Sequence, residues 1–290
     1  MTGVAFALVL ASAFSHASWN FLLKRSEHKV AFLWSLAAVS FAVFLIPAAI
    51  FAYTDGVGWR GVVFGLVSAV LHGAYGLALA RGYQIGDLSV VYPIARGMGP
   101  ALIPIVAVLL LGESISPWGG AGIGLVVLGV LLIQLQSLHP RDLVRPLQNM
   151  GGPATAIAVL TGALITTYSL WDKKALDFLA PVTLNQFSMS GYVFILPPLV
   201  FRARGSPVAA EWRARAPSII AAGVLAPLGY ILVLVALTTS RVSYVAPARE
   251  VGIVLGALLG VLLLGEGYGR IRLFGSLFIV GGVLTLGLAP

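Results

Sequence analysis

The chain has 290 residues, of which 59% are apolar and only 10% are charged, and its formal net charge is +8. A soluble domain needs far more charge to cover its surface, so this composition excludes an ordinary soluble protein. The basic residues lie between apolar stretches, where they determine topology, and this pattern argues against nucleic-acid binding. The sequence has no cysteine, which excludes disulfides, thiol catalysis and cysteine-based metal sites.

Ten apolar stretches are long enough to cross a membrane, since a spanning helix needs about 20 mostly apolar residues. In chain order they are residues 3–23, 31–53, 61–80, 88–111, 117–136, 153–171, 181–201, 217–238, 243–264 and 271–288. The first stretch is predicted to be a retained span and not a signal peptide, because the basic residues Lys24, Arg25 and Lys29 follow it. The sequence therefore predicts an all-α polytopic membrane protein with ten transmembrane helices.

Sequence markers recur at a constant offset in the two halves of the chain. The motif Leu-Leu-Leu-Gly-Glu ends span four at residues 109–113 and span nine at residues 262–266, an offset of 153. The same offset places Arg96 on Arg249. Repetition of several markers at one offset indicates that the chain arose by duplication of a five-helix unit.

We predict a first five-helix repeat over residues 1–137, a linker loop over 138–152 and a second five-helix repeat over 153–290. Because five is an odd number, the second repeat must cross the membrane in the opposite direction to the first. Inverted repeats are typical of secondary transporters, whose binding sites lie near the midplane between the repeats.

Three ionisable residues are predicted to lie at membrane depth, where charge is costly. Arg96 lies about 12 Å into span four and Arg249 about 9 Å into span nine, at 1.5 Å per residue, and Glu250 follows Arg249. Two guanidinium forks and one carboxylate sum to +1, which favours an anion or acidic zwitterion. Glu250 is the predicted proton-coupling residue or the resting partner of the arginines. A structural ion pair between spans four and nine is the alternative interpretation.

Polar and aromatic residues complete the predicted substrate site. At an offset of 152, residues 16–20 of span one align with residues 168–172 of span six. Asp172 is expected at the membrane edge because Lys173 and Lys174 follow it. The substrate-binding candidates are His16, Asn20, His72, Tyr92, Arg96, Tyr168, Trp171, Tyr230, Arg249 and Glu250. For most of these the alternative is helix packing or an interfacial aromatic belt.

The sequence contains no HExxH, GxSxG or nucleotide-binding motif, so we expect neither an enzyme nor a cofactor or metal site. Each repeat instead has a fourth span with proline and arginine that ends in Leu-Leu-Leu-Gly-Glu. A glycine-rich fifth span follows, with the run Gly119-Gly-Ala-Gly-Ile-Gly in the first repeat and with Gly275 and Gly281-Gly282 in the second. This arrangement resembles the EamA type of the drug/metabolite transporter superfamily over essentially the whole chain. The resemblance implies ten helices, alternating access and a central cavity lined by spans one, three, four, six, eight and nine.

The leading functional prediction is a secondary active transporter in a bacterial inner membrane that works by alternating access. Its predicted substrate is a small polar organic solute, namely an organic acid, an amino-acid-like zwitterion or a phosphonate-type metabolite. The proton is the candidate coupling ion, membrane lipid is the expected surrounding partner, and the oligomeric state is left open. The alternatives are an exporter of cationic or aromatic drugs or metabolites, and a non-transporting membrane scaffold.

Basic residues are distributed unequally between the two predicted membrane faces. Alternate loops place 12 Lys and Arg residues on one face and 4 on the other. The positive-inside rule assigns the richer face to the cytoplasm, so both termini are predicted to be periplasmic. The family resemblance implies the opposite orientation.

Overall fold

The computed structural model describes residues 1–85, 88–134, 152–201, 207–265 and 269–290, and within these ranges the side chains of 83–85, 88–96, 134, 154 and 264 lie outside the description. All regular secondary structure in the described residues is helical. In chain order the helices are α1 (Gly3–Lys24), α2 (Lys29–Asp55), α3 (Trp59–Ile85), α4 (Leu88–Leu111), α5 (Pro117–Gln134), α6 (Pro153–Ala175), α7 (Pro181–Ile195), α8 (Pro197–Phe201), α9 (Pro207–Thr239), α10 (Val242–Ala248), α11 (Val251–Leu264) and α12 (Arg270–Leu288).

Two of the predicted spans are divided into two helices. Span seven corresponds to α7 and α8, and span nine to α10 and α11, so the described helices form ten rods when each divided pair is counted once. By length and composition, six spans in the described part of the chain are able to cross a membrane, and the apolar helices Gly97–Leu111 and Pro117–Ile133 are shorter. The predicted linker falls almost entirely outside the described residues.

The division in span nine follows Pro247, which lacks a backbone N–H and so cannot donate within the helix. After this proline, the Glu250 N–H donates to the Pro247 carbonyl at 3.0 Å, and the Ile253 N–H donates to the Glu250 carbonyl at 2.9 Å. These are three-residue steps, tighter than those of an α-helix. The tightened turn places Arg249 and Glu250 between α10 and α11 and not within a continuous helix.

The repeated Leu-Leu-Leu-Gly-Glu motif ends a helix in both halves. α4 ends at Leu111 and α11 at Leu264, which confirms the two predicted ends. The glycines that follow, Gly112 and Gly265, both have a φ of 65°, the left-handed conformation that glycine adopts without the steric cost of a side chain. The same local signal therefore terminates the equivalent helix of each repeat.

Helix packing is nearly unchanged when the two halves are exchanged. α1 packs against α9 and α11 of the second half, and its counterpart α6 packs against α3 and α4 of the first half. Likewise α2 packs against α9, and its counterpart α7 packs against α3. Most large interfaces thus join one half to the other, so the two halves form one intertwined bundle and not two separate domains.

The antiparallel pair α5 and α12 forms a close glycine-lined contact between the halves. Gly122 faces Gly282, and Gly129 faces Gly275, so closely that an added Cβ would lie 2.6 to 3.0 Å from the facing carbonyl oxygen. At the repeat offset of 153, Gly122 corresponds to Gly275 and Gly129 to Gly282. Exchanging the halves therefore converts each contact into the other, as expected for a two-fold axis perpendicular to the two helices. Small residues permit this approach of two backbones.

Candidate functional site

A buried carboxylate lies at the centre of the most polar cluster among the described residues. Asp172 of α6 is 0% exposed, and three side chains from other helices contact it. The Ser68 hydroxyl of α3 donates to Asp172 Oδ1 at 2.7 Å, and the Tyr230 hydroxyl of α9 donates to Oδ2. His72 Nε2 of α3 lies 2.9 Å from Oδ2. We call these four residues the Asp172 hub.

Two of the hub residues lie well inside their helices. His72 lies 13 residues after the start of α3 and Tyr230 lies 9 residues before the end of α9. At 1.5 Å per residue these positions lie about 20 Å and 14 Å from the helix ends at one face. A hydrocarbon core about 30 Å thick has its midplane near 15 Å. These two side chains therefore start near mid-depth, whereas Asp172 lies three residues before the end of α6 at the same face, about 4.5 Å by the same rise.

Tyrosine rings surround the hub. The His72 ring packs against Tyr168 at a centroid distance of 4.2 Å, against Tyr230 at 5.4 Å and against Tyr192 at 6.0 Å. Tyr75 adds a fourth ring, 5.6 Å from Tyr168. Tyr75, Tyr192 and Tyr230 remain partly exposed, whereas Asp172 and His72 are buried beneath them. The cluster thus has an enclosed charged centre and an aromatic outer layer.

A second charge approaches the cluster from the turn between α10 and α11. The Arg249 guanidinium lies 5.8 Å from the centroid of the Tyr230 ring, within the range of a cation–π contact. Tyr230 therefore stands between a guanidinium on one side and the Asp172 carboxylate on the other. Glu250 follows in the same turn and, like Arg249, is half-buried.

The structure brings together four of the predicted site residues, His72, Tyr168, Tyr230 and Arg249. Other predicted site residues make local or packing contacts: the Asn20 side-chain amide donates to the carbonyl of His16 in its own helix, at 2.7 Å. His16 Nδ1 accepts a bond from Trp19 at 3.2 Å.

Trp171 makes a packing contact with α3. Its indole N–H donates to the Phe64 carbonyl at 2.9 Å and its ring stacks on Phe64 at 4.6 Å. The side chains of Tyr92 and Arg96 lie outside the described residues, so their predicted roles remain predictions.

The expectation that Asp172 lies at the membrane edge stays a prediction: Asp172 lies three residues before the end of α6, but its side chain is buried within the bundle. The two lysines after it suggested an aqueous boundary, but the Lys173 ammonium donates to the carbonyls of Leu237 and Ser240 at the end of α9, at 2.5 and 3.2 Å. The Lys173 side chain thus pairs with carbonyls at the end of a helix, a position that favours a cation. The offset of 152 did contain a signal, because it aligns Asp172 with Asn20, a position already proposed for the site.

Ser68 and Ser188 were absent from the predicted site. Ser188 Oγ of α7 lies 3.0 Å from Ser68 Oγ, and so extends the hydrogen-bonded network of the hub to a fourth helix. Serine gives no sequence signal of its own, since a hydroxyl commonly bonds to a carbonyl of its own helix. In the described part of the chain, no group of three or more His, Cys, Asp or Glu residues is placed to hold a metal ion.

The fold and the buried polar centre define a multi-pass membrane protein built from two repeats. Residues 3–135 and 153–288 each match the EamA-like transporter family. The chain belongs to this family, and it is not an enzyme. A solved crystal structure superposes on 99% of this chain and 98% of its own with a TM-score of 0.73 at 16% identity, which shows the fold alone.

Several curated proteins resemble parts of the chain. "Multidrug resistance protein mmr" of Mycolicibacterium paratuberculosis is 35% identical over 81 residues, 28% of this chain and 73% of that protein. "Quaternary ammonium compound-resistance protein QacE" of Escherichia coli is 36% identical over 73 residues, 24% of this chain and 66% of that protein. "Spermidine export protein MdtI" of Klebsiella pneumoniae is 33% identical over 99 residues, 34% of this chain and 88% of that protein.

Proposed function

We propose that this chain is a secondary transporter of the bacterial inner membrane that exchanges protons for a small organic amine. In this proposal ten spans form two inverted five-helix repeats, and the Asp172 hub alternates between the two membrane faces. The observation that carries the proposal is the Asp172 carboxylate, fully buried within the bundle and surrounded by tyrosines. Ionisable side chains buried within a membrane protein are costly, and where they occur they mark substrate or proton pathways.

The chemistry of the hub suits an ammonium group. A carboxylate supplies the opposite charge, and the tyrosine faces add cation–π attraction of about 0.5–2 kcal/mol each. The charge sum of +1 over Arg96, Arg249 and Glu250 becomes zero when the Asp172 carboxylate is added. The site therefore loses the net positive charge on which the preference for an anion depended. The names of two relatives, a quaternary ammonium resistance protein and a spermidine exporter, support an amine as the substrate class.

Proton exchange follows from the same four side chains. In the resting hub, Ser68 and Tyr230 donate to the carboxylate, and His72 supplies a ring nitrogen that can carry a proton. Arrival of a proton at His72 or Asp172 removes the net negative charge of the pair and so weakens its hold on an ammonium ion. Departure of that proton restores the charge and the affinity. Amine and proton thereby bind alternately, which couples their movement in opposite directions.

A second candidate is a zwitterionic substrate, which was part of the leading sequence prediction. The observation that favours it is the position of Arg249 at 5.8 Å from the Tyr230 ring. A guanidinium on one side of this ring and a carboxylate on the other match an acid group and an amino group on one molecule. In this case Arg249 would bind the acid and Asp172 the ammonium group.

The test is transport by purified protein reconstituted in lipid vesicles with an imposed pH gradient. The probes are a quaternary ammonium dye, spermidine, and an organic acid of similar size. We expect gradient-driven uptake of the amines, and a loss of roughly 30-fold or more in Asp172→Asn, because losing one partner of a buried charge pair costs about 2–5 kcal/mol. Asp177→Asn is the matched control, since Asp177 is exposed and pairs with exposed Lys174. Full amine transport by Asp172→Asn, or uptake of the acid alone, would contradict the proposal.

A further inference from the structure

The glutamate of the first Leu-Leu-Leu-Gly-Glu motif joins the two repeats at one face of the bundle. The two carboxylate oxygens of Glu113 accept bonds from the backbone N–H groups of Val242 and Ser243, at 2.9 and 3.0 Å. These are the first two residues of α10 in the second repeat, whereas Glu113 follows α4 of the first. A carboxylate at this position satisfies N–H groups that have no partner within the helix.

Other bonds tie the same two segments together. The Arg241 guanidinium donates to the Ser114 carbonyl at 2.9 Å, and the Ser116 N–H donates to the Tyr244 hydroxyl at 3.0 Å. The Tyr244 ring in turn lies directly on Gly119, where an added Cβ would contact its hydroxyl group. The turn between α4 and α5 is therefore bonded around the beginning of α10. We call this arrangement the Glu113 clasp.

The clasp is mechanically connected to the proposed transport site. α10 is a helix of seven residues, all of them buried, which begins at the clasp and ends beside Arg249. Arg249 contacts the Tyr230 ring, and Tyr230 donates to Asp172. Because α10 has only about two turns, we expect displacement of its first turn to move its last. A change at Glu113 is thus transmitted to the outer layer of the hub.

We propose that the Glu113 clasp is a gate, closed in this structure, and that its release opens the path from this face to the hub. The proposal assumes that the transporter exposes its site alternately, and it assigns to Glu113 a positioning role and no contact with substrate. The clasp suits this role because its bonds cross between the repeats, whose relative movement alternating access requires. Exchange of one carboxylate for water is sufficient to release both N–H groups.

The absence of native cysteine makes the gate directly measurable. Ser243→Cys introduces a thiol at a side chain that is 0% exposed and whose hydroxyl has no hydrogen-bond partner, so the substitution disturbs little. It also keeps the backbone N–H that Glu113 binds. The rate of reaction of this thiol with a water-soluble maleimide reports how often the gate opens. Ser40→Cys is the matched reference, since Ser40 of α2 is likewise 0% exposed and its hydroxyl is likewise without a partner.

Glu113→Gln should raise the labelling rate of Ser243→Cys at least about tenfold, the fold-change that corresponds to about 1.4 kcal/mol of charge-assisted bonding. Asp177→Asn removes the same charge from an exposed position and should leave the rate unchanged, and labelling of Ser40→Cys should not respond to either change. The proposal is overturned if Ser243→Cys is labelled in the Glu113→Gln background at a rate within twofold of its rate in the Asp177→Asn background. A parallel rise at Ser40→Cys would also overturn it, because the bundle would then have loosened as a whole. The labelling needs no substrate, so it tests the gate even if the amine proposal fails.

Discussion

Replacement of Gly129 by alanine tests the seam between the two repeats most directly. A Cβ at this position would lie 2.6 Å from the Gly275 carbonyl oxygen and 2.7 Å from the Ile279 backbone nitrogen. Ordinary van der Waals contact begins near 3.4 Å. The methyl group therefore has to push α5 and α12 apart by about 0.8 Å. Because the opposing atoms belong to the backbone, no side-chain rotation can relieve the overlap.

The expected cost lies near the upper end of the range for overpacked cores, which is about 1–3 kcal/mol. A loss of this size should lower the melting temperature of the detergent-solubilised protein by roughly 5–10 °C, at the few degrees per kcal/mol typical of large domains. The measurement is thermal unfolding followed by tryptophan fluorescence. The equivalent change in the second repeat, Gly282→Ala, should cost a similar amount, because its Cβ would lie 2.7 Å from the Gly122 carbonyl oxygen.

Gly124→Ala is the control on the same helix. Nothing lies within 4 Å of an added Cβ there, and alanine favours a helix over glycine by about 1 kcal/mol, so this variant should be as stable as the parent or more so. If Gly129→Ala has the same melting temperature as Gly124→Ala, the close packing of α5 against α12 does not hold the repeats together. The argument for a two-fold seam at these glycines would then fail.

Other consequences concern the site and the orientation. Tyr230→Phe removes the hydroxyl that donates to Asp172. It should slow amine transport roughly tenfold without loss of folded protein, since a hydrogen bond to a charged group contributes about 1.5–3 kcal/mol. Transport at the parent rate would show that this bond has no role in it. Arg249→Gln should spare amine transport but abolish transport of a zwitterion, whereas equal loss of both would indicate a structural arginine. A reporter fused after Pro290 should give a periplasmic signal if the basic residues set the orientation. A cytoplasmic signal would show that the chain has the orientation that the family resemblance implies.

Local signals in the sequence were sufficient to predict the helices and to reveal the duplication. The lengths of the apolar stretches indicated where the helices lie, since a spanning segment needs about 20 apolar residues whatever its neighbours are. The motif that contains Gly112 and Gly265 ends a helix in both halves, because a glycine in the left-handed conformation stops a helix locally. Such features depend on residues close in the chain, and the sequence therefore predicts them without knowledge of the tertiary contacts.

Only the tertiary structure decided which polar residues form a site. Asp172 stands beside two lysines, which suggested the membrane edge and gave no sign of a site. Its side chain is buried because Lys173 bonds to the end of α9 while Asp172 faces Ser68, His72 and Tyr230. These partners lie more than 50 residues away in the chain, and no local pattern records the rotation of one helix against another. Likewise, the sequence showed Glu113 as part of a repeated motif, but its bonds to Val242 and Ser243 depend on how the halves interlock. Charge and periodicity thus define which residues are candidates, and packing between the repeats selects among them.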